Sequence, residues 1–231
     1  MADINKILII EDSEDVVEAI SVALQIRWPK LEIISTGKGE GGIDHVKNNS
    51  FDMVILDLGL IDISGFEVLK RIRLFSNIPI MILSVRGDEA DIIKGLELGA
   101  DEYIVKPFRQ LELISRIKAI TRRLNRENIE EPIIVGNIHF DSNNRIVSIG
   151  EKQVALTQTE NDILFKLIKN KNIVVTHNKI AEHIWGTSYP EVASSIKVYI
   201  RRLREKIEPE PSYPRLIITK PGLGYLFAEP F

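Results

Sequence analysis

In the first half of the chain, apolar positions alternate between two periods. Short β-branched runs at Lys6 to Ile10, Leu31 to Thr36, Phe51 to Leu56, Ile78 to Ser84 and Glu102 to Val105 read as strands. The segments between them carry apolar residues at helical spacing. Strands that are apolar nearly throughout, each followed by a helix, predict a five-stranded parallel sheet doubly wound by helices. Ser64-Gly65-Phe66-Glu67 has the spacing of a capping box, and the helix it opens ends before Asn77-Ile78-Pro79. A last helix, Leu111 to Leu124, finishes near Arg122-Arg123, and the polar stretch 125–131 reads as a linker. Residues 1–124 are therefore expected to form one α/β domain.

The pattern changes in residues 132–231. Ile133 to Val135, Ile138 to Asp141, Arg145 to Ile149 and Gln153 to Leu156 are short strand-like runs separated by Asn and Gly turns, which predicts a small antiparallel sheet. Thr157-Gln158-Thr159-Glu160 is a second capping box, opening a helix whose Ile163, Leu164, Leu167 and Ile168 share a face. Further helices are expected at Asn178 to Trp185 and Val192 to Ile207. Leu216 to Thr219 and Tyr225 to Phe227 then flank Pro221-Gly222-Leu223-Gly224 as a hairpin. Three helices followed by a β-hairpin describe an α+β winged helix-turn-helix.

Composition narrows the chemistry. The chain has no cysteine, which excludes disulfides, thiolate metal sites and cysteine nucleophiles, and suits a reducing compartment. The early apolar run Ile7 to Ile10 ends in Glu11-Asp12, unlike a signal peptide, and no stretch reaches membrane-spanning length. The net charge of −3 conceals a contrast: residues 1–125 carry −4, residues 126–131 carry −2 and residues 132–231 carry +3. The basic second half is the part suited to nucleic acid.

In a parallel α/β sheet the ligand lies beyond the carboxyl ends of the strands. The residues that finish strands here are Glu11-Asp12, Asp57, Ser84 and Lys106. Three converging carboxylates repel one another unless a cation joins them, and a hard divalent ion, Mg²⁺, suits an all-oxygen donor set. Asp57 can then attack a phosphoryl donor while Lys106 and the Ser84 hydroxyl bind phosphoryl oxygens. Taken singly, such acids more often cap helices and face water. A competing pattern is Gly37-Lys38-Gly39-Glu40-Gly41-Gly42, a Gly-x-Gly-x-x-Gly run after a strand with Asp57 twenty residues on, as in a dinucleotide-binding enzyme. That reading sits on the second strand and leaves Glu11, Asp12, Ser84 and Lys106 without a shared purpose.

Ile-Ile-Glu-Asp, Val-Ile-Leu-Asp-Leu, Ile-Leu-Ser and Gly-Ala-Asp-Glu-Tyr-Ile-Val-Lys-Pro-Phe resemble, in that order, the receiver domain of bacterial two-component response regulators. The resemblance implies a flavodoxin-like domain in which Asp57 accepts phosphate from a sensor histidine kinase. It implies that Glu11, Asp12, Asp57 and the Gly59 carbonyl serve Mg²⁺, and that Ser84 and Tyr103 report the phosphoryl group by moving together. One departure is Ile61, where the family usually has proline, which puts the rigidity of that loop in question.

Within Val192 to Ile207, Ile196, Ile200, Leu203 and Ile207 form an apolar stripe, while Ser194, Lys197, Arg201 and Arg204 line another face. Such a cationic face neutralises phosphates and reads guanine in a major groove, although a charged helix face is usually only solvated. Leu156-Thr157 to Leu164, Ile184-Trp185-Gly186, Val198-Tyr199-Ile200-Arg201-Arg202-Leu203-Arg204 and Gly222-Leu223-Gly224-Tyr225 resemble the OmpR/PhoB effector domain. Asp57-Leu58-Gly59-Leu60 and Lys197-Val198-Tyr199 look most like the potassium-responsive, KdpE-type members. The resemblance implies DNA contacts from Ser195, Lys197, Tyr199, Arg201, Arg202 and Arg204, with Lys220 in the wing. Pro221, Leu226 and Asn161 depart from the usual wing arginine, a second arginine and a core aromatic.

The same resemblance implies a bacterial cytoplasmic transcription regulator rather than an enzyme, with promoter DNA, the kinase and RNA polymerase as partners. Phosphorylation would favour a homodimer through the fourth helix, fifth strand and fifth helix. Glu102 with Arg116, and Asp101 with Arg122 or Arg123, are the expected cross-dimer pairs, and Ile92 stands where a basic partner for Glu112 is usual. A phosphorylation-independent DNA-binding protein whose receiver only dimerises is the alternative.

Overall fold

A computed structural model describes residues 4–124, 131–186 and 192–229, with the side chains of 122–124 and 192 outside that description. The chain divides into two compact units, Met1–Asn125 and Arg126–Phe231. Most of the stretch expected to be a linker, and the side chains of Arg122 and Arg123, therefore lie outside the described residues.

The first unit runs β1 (Lys6–Ile10), α1 (Glu14–Arg27), β2 (Glu32–Thr36), α2 (Gly39–Asn48), β3 (Met53–Leu56), α3 (Gly65–Arg73), β4 (Ile80–Ser84), α4 (Glu89–Glu97), β5 (Glu102–Val105) and α5 (Gln110–Leu124). The sheet is parallel, in the order β2-β1-β3-β4-β5. Its central strands β3 and β4 are wholly buried, as expected of strands covered on both faces, whereas the edge strand β2 is partly exposed. Alternation divides the core. Ile7, Ile9, Met53, Ile55, Met81 and Leu83 pack with Ile20 and Leu24 of α1 and Leu113, Ile117 and Ile120 of α5. Ile10 and Ile82 point the other way, so closely under α2 and α4 that Gly42 and Gly95 leave no room for a Cβ.

This topology brings the ends of β1, β3, β4 and β5 to one edge. Ile10 pairs with Leu56 across β1 and β3, and Ser84 with Val105 across β4 and β5. The residues just past those pairs are Glu11, Asp57 and Lys106. The Lys106-Pro107 peptide is cis.

The second unit opens with a four-stranded antiparallel sheet, β6 (Ile133–Val135), β7 (Ile138–Asp141), β8 (Ile146–Ile149) and β9 (Lys152–Ala155). Then come α6 (Gln158–Lys169), β10 (Val175–Thr176), α7 (His177–Trp185), α8 (Val192–Ile207) and the hairpin β11 (Ile217–Lys220) with β12 (Gly224–Phe227). Ile163, Leu164, Leu167 and Ile168 of α6 and Ile196, Ile200, Leu203 and Ile207 of α8 are buried where the two helices pack. The two-residue strand β10 pairs with β12, giving a three-stranded sheet where sequence pattern predicts only a hairpin. Two residues carry too little periodicity to register as a strand.

Candidate functional site

Each side chain of the acidic pocket is placed by the end of a strand. Glu11, Asp12 and Asp57 offer carboxylate oxygens that all lie within 4.8 Å of one another. Glu11 and Asp57 are buried and Asp12 is exposed. Lys106 Nζ donates to Glu11 Oε2 at 2.5 Å and stands 3.3 Å from Asp57 Oδ1. The other carboxylate oxygen of Asp57 accepts from Gly59 N at 2.8 Å. Asp57 Oδ1 itself is buried with no hydrogen-bond donor among the described residues. Burial pushes the Glu11 carboxyl above its ordinary value against the opposing pull of Lys106.

A buried carboxylate oxygen without a donor is costly, and one facing two further carboxylates more so. One lysine does not balance three acids. The donor set is all oxygen, with one group open to solvent, and that is the chemistry a hard divalent cation takes. The residues present therefore fit such an ion.

Ser84 is buried at the end of β4, and its hydroxyl accepts from Arg86 N at 3.4 Å. Tyr103 on β5 is turned inward, donating its hydroxyl to Arg86 O at 2.6 Å, and burial pushes its phenol up to about 12. Ser84 and Tyr103 thus both bond to the backbone of Arg86.

The glycine run after β2 has a different use from the one its pattern suggests. The start of α2, where a dinucleotide phosphate would sit, holds the Asp62 carboxylate, which accepts from Gly39 N at 2.8 Å and Glu40 N at 3.1 Å. A Cβ on Gly39 would come 2.6 Å from Val68 Cγ2. Gly39 and Gly42 are there for close packing.

Two residues expected to pair across a dimer, Glu102 and Asp101, have partners within the chain. Arg116 donates to Glu102 at 3.2 Å, both largely buried. Asp101 has no exposed side-chain surface and pairs with Arg73 at 3.1 Å while accepting from Ile80 N. The side chains of Arg122 and Arg123, its expected partners across a dimer, lie outside the described residues.

In the second unit, α8 sorts its basic residues by direction. Lys197 and Arg201 face solvent, Arg201 making an i,i+4 pair with Glu205 at 3.0 Å. Ser195 is half-buried, and Lys220 is exposed at the end of β11. Arg202 turns inward to Glu160 at 2.7 Å, and Arg204 donates to Ile217 O and Thr219 Oγ1, fastening α8 to the hairpin. Tyr199 is 1% exposed, its ring 6.4 Å from that of Trp185. Of the residues expected to touch DNA, Arg202 and Tyr199 therefore occupy interior positions, where they hold α8 to its own domain. Asn161 is likewise buried, donating to Ser142 O.

Residues 7–118 match the family described as response regulator receiver domain, and residues 150–227 match transcriptional regulatory protein, C terminal. The response regulator ArlR of Staphylococcus aureus (strain NCTC 8325 / PS 47) is 36% identical over 221 residues, covering 96% of this chain and 98% of ArlR. Among solved structures, a mutant of RitR aligns with a TM-score of 0.76 at 26% identity, over 98% of this chain and 100% of that one. DrrB, an OmpR/PhoB homolog from Thermotoga maritima, aligns at 30% identity and a TM-score of 0.51, over 97% of this chain and 99% of its own.

Proposed function

Because the chain belongs to the OmpR/PhoB family of two-component response regulators, transcription regulators rather than enzymes, we propose that its output is switched by phosphorylation of Asp57. The acidic cluster Glu11, Asp12 and Asp57 is a typical receiver metal site. In this reading the ion is Mg²⁺, held by those three carboxylates and the Gly59 carbonyl, and it supplies neutralisation of the charge that develops on transfer. Asp57 Oδ1 attacks the phosphorus of a phosphohistidine on a sensor kinase. The bond from phosphorus to the imidazole nitrogen breaks as the acyl phosphate forms, and the nitrogen keeps the electron pair. Lys106 and the Ser84 hydroxyl then bind phosphoryl oxygens, and Tyr103 follows Ser84.

The observation that carries this reading is the buried Asp57 Oδ1, left without a donor beside Lys106 and two further acids. Promoter DNA is bound through Lys197, Arg201 and Ser195 of α8, with Lys220 from the hairpin. Residues 1–124 act as the switch and 132–231 as the reader, joined by 125–131. Phosphorylation favours a homodimer through α4, β5 and α5, with RNA polymerase as a downstream partner and the cytoplasm as the site of action. No helix among the described residues is long and apolar enough to cross a membrane. Asp57-Leu58-Gly59-Leu60 and Lys197-Val198-Tyr199 favour a KdpE-type specificity within the family.

Intact mass and sedimentation of wild type and Asp57→Ala, with Mg²⁺ and acetyl phosphate, test the switch. The reading requires wild type alone to gain one phosphoryl mass and shift toward dimer. An unmodified, unshifted wild type would favour the alternative of constitutive DNA binding.

A further inference from the structure

The loop between Asp57 and α3 is fastened at several points. Near the site, Gly59 N donates to Asp57 Oδ2 and Gly65 N to Leu58 O at 3.2 Å. Its far side is held by Asp62, whose two oxygens take the N–H groups of Gly39 and Glu40. Those groups belong to the first turn of α2, which has no partners for them within the helix, and the N-cap residue Lys38 supplies no side-chain cap. Asp62 thus caps a helix 23 residues before it in sequence. Burial alone would raise its carboxyl, but the backbone donors outweigh that and hold it below the ordinary value, so it is ionised near neutrality.

The same junction is clamped from α3. Arg71 grips Glu40 with two bonds, Nη1 to Oε1 at 2.6 Å and Nη2 to Oε2 at 2.9 Å. Gly39 lets the start of α2 close on Ile63 and Val68, where a Cβ would lie 2.7 Å and 2.6 Å away. Between these anchors Ile61 is 71% exposed and packs little. It also lacks the fixed φ that a proline would bring to this position.

We propose that Asp62 is a positioning residue for the phosphoryl site: by fastening the loop to α2 it holds the Gly59 carbonyl where Mg²⁺ needs it. The proposal rests on the reading of Glu11, Asp12, Asp57 and Gly59 as the ion's ligands. Asp62 touches neither ion nor phosphoryl group. Its effect is exerted through loop geometry, and therefore on ion affinity more than on chemistry once the ion is bound.

The test uses the full chain, titrated with Mg²⁺ alone by calorimetry, and then loaded with acetyl phosphate across Mg²⁺ concentrations. Asp62→Ala should weaken Mg²⁺ binding by roughly three- to tenfold, the usual reach of a lost helix cap. Phosphorylation should slow by the same factor at low Mg²⁺ and recover at saturation. Asp62→Asn, which keeps one acceptor oxygen, should fall between, and Ile61→Pro added to Asp62→Ala should recover part of the affinity. A merely structural cap would lower melting temperature without these Mg²⁺ effects. Unchanged affinity in a folded Asp62→Ala overturns the proposal. If wild type binds Mg²⁺ but accepts no phosphoryl group, the phosphorylation reading fails and the fastening is judged by Mg²⁺ affinity; if wild type binds no Mg²⁺, both fail.

Discussion

Arg202 Nε donates to Glu160 Oε1 at 2.7 Å, joining α8 to the first turn of α6 through a carboxylate with no exposed surface. Lys206 takes the other oxygen at 2.6 Å, and that oxygen also accepts from Thr157 N at 2.9 Å. Glu160 is at once the N3 residue of its helix and the anchor of α8. The basic residues of α8 therefore do two different things, and substitution separates them.

Arg202→Ala should destabilise the second unit by about 2–4 kcal/mol, because it leaves a buried carboxylate short of a partner. Lys197→Ala and Arg201→Ala should leave stability within about 0.5 kcal/mol and instead weaken DNA binding. Each should lower the slope of log affinity against log salt by about 0.9 for every phosphate no longer neutralised. Urea unfolding in a Trp28→Phe background, where Trp185 is the remaining tryptophan, reports the first effect. Fluorescence anisotropy with duplex DNA reports the second. Loss of stability in Lys197→Ala without loss of affinity would contradict the division.

Burial on its own would raise the Glu160 carboxyl, but the charges of Arg202 and Lys206 outweigh it and hold the group below its ordinary value. The unfolded chain then binds the proton more readily than the folded one. Stability from this group is complete above the ordinary glutamate value and is lost as pH falls through the lower folded one. Trp185 fluorescence should show acid unfolding beginning below about pH 5, with a steeper fall in wild type than in Glu160→Gln. Parallel curves for the two proteins would show that Glu160 does not set this limit.

The strands and the acidic edge were legible in the sequence because both follow from rules that need no partner. Buried parallel strands are apolar throughout, and Glu11, Asp57 and Lys106 mark where three of them stop. The partners of long charged side chains were not legible in this way. Arg202 lies one residue from Arg201, about 100° around the helix, so one reaches inward and the other outward, but which carboxylate each meets is decided by the tertiary fold. Glu102 and Arg116 are expected from sequence to pair across a dimer, and the packing of α5 near β5 brings them together within one chain as well. The glycine run after β2 is set aside as a nucleotide loop on sequence grounds, but what occupies its N–H groups was not legible: Asp62 arrives from another loop to take them.

Arg73 offers a test of the buried pair in the first unit. It donates to Gly99 O at 2.9 Å, Ser76 O at 3.1 Å and Asp101 Oδ2 at 3.1 Å, bridging the end of α3 to the turn before β5. Arg73→Ala should cost about 3–5 kcal/mol in the stability of this unit, since Asp101 would keep its charge without its cation. Asp101→Asn, which retains an acceptor for Ile80 N, should cost less. Unfolding followed by Trp28 in a Trp185→Phe background measures both, and equal losses would mean that the charge pair matters more than the bonds of Arg73 to Gly99 O and Ser76 O.

Gly65 opens α3 directly behind Asp57. A Cβ there would collide with the backbone oxygen of Asp57 and lie 2.7 Å from Leu58 Cα, and neither is the end of a side chain that could swing aside. Gly65→Ala must therefore push α3 away from the loop or displace Asp57 itself. Either movement disturbs the Leu58–Gly65 bond that closes the loop. The substitution should lower receiver stability by about 1–3 kcal/mol and reduce Mg²⁺ affinity together with it. Gly150→Ala is the matched control: it also strains a glycine, at φ +58°, but meets nothing within 4 Å and lies far along the chain in the second unit. It should cost about 1 kcal/mol there and leave Mg²⁺ binding untouched. Calorimetric Mg²⁺ titration of both variants decides the matter, because a general loss of fold would depress binding in proportion to the unfolded fraction, whereas a displaced Asp57 would weaken it in protein that remains fully folded.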